Sequence, residues 1–518
     1  MRRPLVLRAK TIMVQGTASD VGKSVLTAAL CRIFYQDGWR VAPYKSQNMA
    51  LNSYVTACGK EIGRAQGMQA EACGIEATTD MNPILLKPTR DMTAQIVVHG
   101  VPHEEMSARR YREDYLPLAA GIVREALDRL GAAYDLVVIE GAGSPAEINL
   151  KSRDIVNMRV AEWADAPVLL AADIDRGGVF AAIVGTLELL EPHERRRIKG
   201  FLINKFRGDL SLLQPGLDWL EQRTGIPVLG VIPHLAGLDI EAEDSVVLDK
   251  RSRGHNARSA GKELDVAVIR LPRISNFTDF DPLESEPDVG VRFVQEASDL
   301  GEPDIVVLPG SKNTLEDLAH LYDSGLARAI TEAVAGGSRL VGICGGYQML
   351  GVRLKDPEQV ESLLEEVDGL GLLPLETTFY RHKKTVRAAG TSVSRHRRWQ
   401  EWQGAPIEGY EIHMGQTTWL TPQAAPLFEL NGGTDGAISE DGLVWGTYLH
   451  GVFHNDAFRR SWLNEVRSAK GLPPVTEVVS FHSRKTAAFD RLADHVRAHV
   501  DMAKLYDIIG MGAVKTSL

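Results

Sequence analysis

A glycine-rich stretch near the start of the chain carries residue types that bind phosphate. It reads GTASDVGKS, residues 16–24, and follows an apolar run. Backbone amides in such a turn, together with the dipole of the next helix, form an anion site. In the pattern G-x-x-x-x-G-K-[ST], the lysine reaches the terminal phosphates and the hydroxyl binds Mg²⁺. We therefore predict these roles for Lys23 and Ser24, with further nucleotide contacts from Thr17, Ser19, Asp20, Val21 and Gly22.

The spacing of this loop departs from the usual pattern. Five residues separate Gly16 from Gly22, whereas the pattern has four. The form G-T-x-[ST]-x-x-G-K-[ST] resembles the loop of dethiobiotin synthetase and its relatives, which phosphorylate a carboxylate. The resemblance implies that this loop uses ATP to activate a carboxylate.

Two residues further along the chain are candidates for the same site. Glu140 ends the apolar run DLVVIE, and Asn204 follows the run GFLI. Ligands of open α/β sheets bind at the carboxyl ends of the strands. A carboxylate at this place can complete the Mg²⁺ shell, so we predict Glu140 and Ser24 as metal ligands. Asn204 is a candidate for a hydrogen bond to the nucleotide base.

A second candidate site is centred on Cys344. The stretch RLVGICGGYQMLG places this cysteine in a G-x-C-x-G pattern, between a β-rich run and a helix-like segment. Small neighbours permit a sharp strand-to-helix turn that exposes a nucleophile, and the following amides lower the pKa of a thiol. The pattern predicts a nucleophilic cysteine.

A thiolate nucleophile needs a base, and the stretch GTYLHGVFHN offers two histidines. His450 directly follows a β-rich run, whereas His454 lies four residues later. Two strand ends of one sheet converge at the same edge. We therefore favour His450 as the base, with His454 as its competitor.

Cys344 and His450 together resemble class I glutamine amidotransferase domains, and the resemblance implies a glutamyl thioester and the release of ammonia. It also implies an oxyanion hole formed by the backbone amides of Gly310, in LPGSKNT, and Gly345. Most such domains carry a glutamate two positions after the histidine, where this chain has Val452. The sequence does not identify a residue that replaces it.

Strands alternating with helices must position these residues. Up to about residue 235, runs such as TIMVQG and APVLLAADID alternate with helical patterns, which predicts a parallel sheet covered by helices. We expect an α/β chain with two doubly wound domains, an N-terminal P-loop domain and a C-terminal class I glutamine amidotransferase domain. The expected boundaries are 1–247 for the first domain, 248–263 for a linker, 264–455 for the second domain, and 456–518 for a helical segment packed on it.

Composition and charge exclude several classes of function. A net charge of −10 argues against nucleic acid and anionic membranes as partners. The basic stretch 380–399 is interpreted as a solvated hairpin. Four cysteines without C-x-x-C spacing argue against a disulfide framework or a zinc site. With no apolar run long enough to span a bilayer, we expect a soluble cytoplasmic protein; homo-oligomer formation stays open.

Several stretches, in this order, resemble the cobyric acid synthase family to about residue 455: YKSQNMALNSYVT, EIGRAQGMQAEAC, MNPILLKPTRD, DIDRGGVFA, INKFRGD, PRISNFTDFDPL and YEIHMG. The resemblance implies amidation of the b, d, e and g carboxylates of adenosylcobyrinic acid a,c-diamide, with one ATP and one glutamine per amide. Cobalt would enter only within the corrinoid. A substrate with several carboxylates needs polar and cationic contacts, for which the candidates are Lys45, Ser46, Gln47, Asn48, Lys87 and Arg90.

Two alternatives remain at this stage. Cobyrinic acid a,c-diamide synthase would show the same two sites while acting on the a and c carboxylates. A partitioning-type ATPase switch would use the phosphate loop to control protein interactions, with a noncatalytic second domain. The GICGG stretch around Cys344 argues against that switch, because a binding module has no need for a nucleophile elbow.

Overall fold

The computed structural model describes residues 9–90, 92–238, 261–421 and 426–512, without the side chains of Arg90, Ala108, Arg112 and Pro117. The chain forms two compact units. The first consists of Met1–Ala50, Glu61–Glu241 and Ser483–Leu518, and the second of Leu51–Lys60 and Ala242–His482. Most of the expected linker, residues 248–260, lies outside the described residues.

Residues 9–238 alternate between strands and helices. The strands are β1 (Lys10–Gly16), β2 (Val41–Tyr44), β3 (Gln47–Met49), β4 (Ser53–Val55), β5 (Glu61–Gly63), β6 (Ile84–Arg90), β7 (Thr93–Val98), β8 (Val101–Ser107), β9 (Leu136–Glu140), β10 (Val168–Asp173), β11 (Ile198–Phe206) and β12 (Val228–Pro233). The helices are α1 (Lys23–Gln36), α2 (Arg64–Ala72), α3 (Ala108–Arg110), α4 (Leu116–Ala133), α5 (Met158–Trp163), α6 (Val179–Leu189), α7 (Pro192–Arg195) and α8 (Leu210–Thr224).

The main sheet of the first unit is parallel, in the order β12-β11-β10-β1-β9-β2. Its central strands are largely buried; all five residues of β9 are buried, as expected for strands covered on both faces. Helix α1 directs Leu26, Leu30 and Ile33 into the core beside it. A smaller sheet contains β3, β6, β7 and β8. The carboxyl ends of β1, β9, β10 and β11 therefore share one edge.

The second unit restarts the alternation after residue 261. Its strands are β13 (Leu264–Ile269), β14 (Ile274–Ser275), β15 (Val289–Val294), β16 (Ile305–Leu308), β17 (Gly310–Ser311), β18 (Arg339–Ile343), β19 (Arg353–Lys355), β20 (Glu366–Asp368), β21 (Leu375–Ser392), β22 (Pro406–Trp419), β23 (Phe428–Leu430), β24 (Gly433–Asp435), β25 (Ala437–Ile438) and β26 (Val444–Thr447). Its helices are α9 (Asp281–Glu284), α10 (Thr314–Asp323), α11 (Leu326–Ala335), α12 (Gly345–Met349) and α13 (Asp456–Ala469).

Two sheets organise this unit. The first has the order β15-β13-β16-β18-β26-β25, in which all neighbours are parallel except β25 and β26. The second is built around the long antiparallel pair β21 and β22. Much of the basic stretch 380–399, interpreted from the sequence as a solvated hairpin, therefore lies in a strand of this sheet. The predicted α/β class is confirmed in both units.

The C-terminal segment differs from the expectation that residues 456–518 pack on the second domain. Within this segment, the residues up to His482, which include α13, belong to the second unit. The two last helices, α14 (Phe481–His499) and α15 (Met502–Ile509), supply Leu492, Val496 and Leu505 to the core of the first unit. The physical reason is their apolar stripe, which is buried against α1 and the main parallel sheet.

Candidate active site

The phosphate loop lies at the end of β1 and leads directly into α1. Gly22 has φ 99°, and a Cβ there would lie 2.3 Å from the side-chain amide nitrogen, Nδ2, of Asn204. This close approach in a left-handed conformation requires glycine. Asn204 donates from Nδ2 to the carbonyl of Val21 at 2.8 Å. The residue predicted to contact the base therefore holds the loop itself.

Lys23 is buried and its ammonium lies across the loop. Nζ donates to the carbonyl oxygen of Ala18 at 2.8 Å and to that of Gly143 at 3.0 Å. Of the other loop residues predicted to contact the nucleotide, one is held by a backbone hydrogen bond and two are exposed. The amide of Thr17 donates to Ala171 O at 3.0 Å, whereas Ser19 and Asp20 are exposed at the turn. Thr17 therefore anchors the loop with its backbone.

Glu140 gathers several groups at the end of β9. Its Oε1 accepts from Ser24 Oγ at 2.8 Å and from the Lys45 ammonium at 2.9 Å. Its Oε2 accepts from Gln69 Nε2 at 2.6 Å. Mg²⁺ is bound by one or two carboxylates together with water and substrate phosphates. The adjacent oxygens of Ser24 and Glu140 fit that requirement.

The predicted substrate residues lie mostly in the interior of the first unit. Ser46 Oγ donates to Ile155 O at 2.7 Å, and Asn48 Nδ2 donates to Gln66 Oε1 at 3.1 Å. These contacts use buried side chains, which are satisfied by neighbours within the first unit. Direct contact with a substrate stays a prediction for them.

The remaining substrate candidates are Gln47, Lys87 and Arg90. Gln47 is partly exposed and accepts a hydrogen bond from the hydroxyl of Tyr111. Lys87 is buried and pairs with Glu61 at 2.5 Å. The side chain of Arg90 lies outside the described residues. Lys87 therefore carries a buried positive charge whose partner is a carboxylate of the same unit.

The second site begins with a sharp turn between β18 and α12. Cys344 adopts φ 53° and ψ −109°, a conformation that L-residues rarely occupy. A Cβ on Gly346 would lie 2.0 Å from the carbonyl oxygen of Leu308. The glycine is therefore required for the close approach that holds the cysteine at the strand end.

His450 lies beside Cys344, close enough for the two side chains to interact electrostatically, while Cys344 Sγ donates to the carbonyl oxygen of Ile412 at 3.6 Å. His450 follows β26, the sheet neighbour of β18. Its ring stacks on Tyr410, with 5.0 Å between centroids. His454 instead packs edge-on against Phe481. The structure thus places His450, rather than His454, beside Cys344.

Asp279 takes the place of the missing orienting carboxylate. Its Oδ2 lies 2.6 Å from Nδ1 of His450, and Oδ1 accepts from the amide of Gly451 at 3.2 Å. Both side chains are buried. Asp279 lies in the 3₁₀ turn Phe277–Phe280, 171 residues before the histidine. Asp279 lies in the stretch PRISNFTDFDPL, but the spacing of that stretch does not link Asp279 to His450.

The electrostatics of His450 favour its charged form. Burial alone lowers its pKa, but the carboxylate of Asp279 and the side chain of Cys344 raise it to about 10. An opposite charge within hydrogen-bonding distance stabilises the imidazolium. The arrangement can therefore hold a proton on His450 beside a sulfur nucleophile.

The predicted oxyanion-hole glycines flank this pair. Gly310 lies opposite Ser275 in the short ladder of β14 and β17, and a Cβ on it would lie 3.3 Å from Cε1 of His450. A Cβ on Gly345 would lie 2.8 Å from the amide nitrogen of Ser311. Both glycines are thus next to the reacting groups.

Polar side chains that the sequence reasoning did not single out border the same site. Gln348, one turn after Cys344, donates from Nε2 to the hydroxyl of Tyr448 at 3.1 Å. Tyr448 also shares a 2.6 Å hydrogen bond with Thr417 Oγ1, and Thr314 Oγ1 donates to Gln348 Oε1 at 3.3 Å. Gln348, Tyr448 and Thr314 lie inside the GICGGYQML, GTYLHGVFHN and LPGSKNT stretches, but nothing in those stretches indicated that the three side chains meet.

Among the described residues, no cluster of three or more His, Cys, Asp or Glu side chains could hold a metal ion. No helix in that part of the chain has the length and apolar character needed to cross a membrane.

Comparison with known proteins gives the class of this chain. Residues 12–246 match the CobQ/CobB/MinD/ParA nucleotide binding domain, and residues 265–458 match the CobB/CobQ-like glutamine amidotransferase domain. Together with the phosphate loop and the Cys344 elbow, these matches define an ATP-binding glutamine amidotransferase.

Curated relatives narrow the class. The chain is 55% identical over 502 residues to the cobyric acid synthase of Geobacillus thermodenitrificans, covering 96% of this chain and 98% of the relative. It is 54% identical to that of Desulforamulus reducens, with 98% and 99% covered. It is 52% identical to that of Dehalococcoides mccartyi, with 97% and 99% covered. The chain belongs to the cobyric acid synthase family, and it is a glutamine-hydrolysing carbon–nitrogen ligase of cobalamin biosynthesis.

Proposed function

We propose that this enzyme amidates the b, d, e and g carboxylates of adenosylcobyrinic acid a,c-diamide to give adenosylcobyric acid. The observation that carries the proposal is the presence, in one chain of this family, of a phosphate loop with Lys23 and a cysteine elbow with His450. One site activates a carboxylate and the other supplies ammonia. Each amide would consume one ATP and one glutamine.

In the activating site, the loop amides and Lys23 bind the phosphates of ATP. Ser24 and Glu140 would hold Mg²⁺, which neutralises charge on the transferring phosphoryl group. The substrate carboxylate takes the γ-phosphoryl group and ADP leaves. Lys45, which pairs with Glu140 at 2.9 Å, places a second positive charge beside that centre.

In the glutaminase site, Cys344 attacks the side-chain amide of glutamine. His450 gives its proton to the departing ammonia, and Asp279 keeps the Nδ1 proton in place. The amides of Gly310 and Gly345 stabilise the oxyanion. Water then hydrolyses the thioester to glutamate, while ammonia attacks the acyl phosphate, releases inorganic phosphate and leaves a carboxamide.

Product analysis tests this proposal. The full chain is incubated with the a,c-diamide, ATP, Mg²⁺ and glutamine labelled with heavy nitrogen in its side-chain amide. We expect a product with four labelled amides, and no product from cobyrinic acid when its a and c carboxylates are free. Labelling of the a and c positions would instead identify the sibling activity. ATP hydrolysis without any labelled corrinoid would contradict both.

A further inference from the structure

A short excursion of the N-terminal sequence belongs to the second unit. The chain leaves the first unit after Ala50 and returns at Glu61, and the intervening Leu51–Lys60 packs with the glutaminase unit. The segment is tied to β21 by Arg387, whose Nε donates to Val55 O at 3.1 Å and whose Nη2 donates to the Tyr54 hydroxyl at 3.3 Å. This segment is therefore packed within the second unit and hydrogen-bonded to it.

The same segment fixes the side chain of Asn276. The backbone amide of Ser53 donates to Asn276 Oδ1 at 2.8 Å. An amide N–H can pair only with the oxygen of a carboxamide, so the contact decides which way the Asn276 group points. Asn276 Nδ2 must then face the other direction, where it lies 3.4 Å from Nε2 of His450.

This orientation opposes the glutaminase reaction. His450 Nδ1 is hydrogen-bonded to Asp279, so Nε2 is the nitrogen that can exchange a proton with Cys344. A ring nitrogen has one lone pair or one proton. In the imidazolium that the carboxylate of Asp279 favours, Nε2 carries a proton, and the NH₂ group of Asn276 repels it. The imidazolium is the form that protonates the departing ammonia, so Asn276 disfavours the form that the reaction needs.

We infer that Asn276, held by the Leu51–Lys60 segment, is a positioning residue that restrains glutamine hydrolysis. Its NH₂ group faces Nε2 of His450 in the resting enzyme, and movement of the segment removes this unfavourable contact. This slows the release of ammonia when no acceptor is activated.

The residues at the two ends of the segment suggest how substrate binding can release Asn276 from His450. This step rests on the proposed function. Before it come Lys45 and Asn48, and after it comes Glu61, which is ion-paired with the buried Lys87. A substrate carboxylate that attracts Lys87 would weaken the pair with Glu61, the residue that directly follows the segment. Binding of the acceptor would thus act on Leu51–Lys60 through the chain itself.

Substitution of Asn276 tests the restraint directly. Asn276 has φ 53°, so Asn276→Gly keeps the backbone conformation and removes the side chain. Asn276→Asp keeps an acceptor for Ser53 and turns an acceptor toward Nε2. Glutaminase activity is measured on the full chain without ATP or corrinoid. Loss of this one polar contact predicts a kcat about fivefold higher in Asn276→Gly, with an unchanged KM for glutamine and at least the same gain in Asn276→Asp.

A second pair of variants tests the segment. Arg387→Ala removes its anchor on β21, and Arg381→Ala, on the same strand with an exposed side chain paired to Glu358, is the control. Arg387→Ala should raise the basal glutaminase kcat, and Arg387→Lys should raise it less, because the lysine can keep part of the anchor. Arg381→Ala should leave the basal glutaminase kcat unchanged. In Asn276→Gly, stimulation by ATP and corrinoid should shrink by the factor gained in the basal rate.

A basal kcat that falls or stays the same in both Asn276 variants would overturn the inference, because a structural or activating role predicts one of those results. An increase in KM alone would do so as well. The basal assay contains no corrinoid, so its result does not depend on which carboxylates the enzyme amidates. Failure of the proposed function would appear only in the product analysis.

Discussion

The two candidate sites both lie at the carboxyl ends of parallel strands, but they are assembled in different ways. The phosphate loop takes its anion-binding groups from one run, residues 16–24. The glutaminase site combines Asp279, Cys344 and His450, which come from three separate stretches. A contiguous site is determined by local conformation, whereas a dispersed site exists only when the sheet has formed.

Cys344→Ala should produce the largest difference between the two sites. Removal of the nucleophile is expected to lower glutamine-dependent synthesis by about a hundred thousandfold or more. Synthesis with ammonium salts should persist, because the phosphate loop is untouched. Amide formation is measured with each nitrogen source. Equal loss with both sources would mean that the two sites do not divide the chemistry in this way.

Asp279→Asn should give the next largest effect. An asparagine no longer holds the Nδ1 proton of His450 with a charge, and an equivalent change in a serine protease triad lowers kcat steeply. We expect glutaminase activity to fall by about a thousandfold, with ammonia-dependent synthesis retained. The matched control is Asp299→Asn, an exposed carboxylate of the same unit. A near-normal rate would remove Asp279 from the site.

The unsubstituted enzyme and the Asp279→Asn variant should differ in how glutamine-dependent synthesis changes with pH. The pKa of His450 is raised to about 10, so the proton needed by the leaving ammonia is present at neutral pH and is lost as pH rises through that value. Glutamine-dependent synthesis should therefore decline near pH 10 relative to ammonia-dependent synthesis. In Asp279→Asn, one of the charges that raise this pKa is gone, and the decline should begin at lower pH.

Lys23→Ala tests the contiguous site and should affect both nitrogen sources alike. Loss of the ammonium that lies across the loop is expected to lower synthesis by about a hundredfold or more. Basal glutaminase activity should remain, since the change is confined to the first unit. Lys199→Ala, at an exposed position of β11, controls for loss of charge. Synthesis that survived with ammonia would place carboxylate activation elsewhere.

The sequence predicted the contiguous site more fully than the dispersed one. Spacing alone selected Lys23 and Ser24, and the strand end selected Glu140. Cys344 and His450 were predicted because glycines and a strand end mark them locally. Asp279 was not, because its relation to His450 depends on how the turn Phe277–Phe280 folds back over the sheet.

Long-range packing also explains the error in the placement of the last helices. An apolar stripe on α14 and α15 indicates burial but not the partner, and the cores of both units were available to it. The predicted solvated character of the basic stretch agrees with the exposure of Arg387, but charge alone does not reveal a neighbouring chain segment. In the structure, Arg387 holds Tyr54 and Val55.

Leu505→Ala tests the assignment of the last helices to the first unit. Leu505 is fully buried in the core that contains Leu26 and Ile33, so truncation leaves a cavity there. The expected loss is about 2 to 5 kcal/mol of unfolding free energy, measured by denaturant unfolding and accompanied by loss of ATP binding at lower temperature. Leu212→Ala, at a leucine with 82% exposure, should change little. Glutaminase activity should outlast ATP binding as Leu505→Ala is heated, because the cavity lies in one unit and the Cys344 elbow in the other; the reverse order would return the C-terminal helices to the second unit.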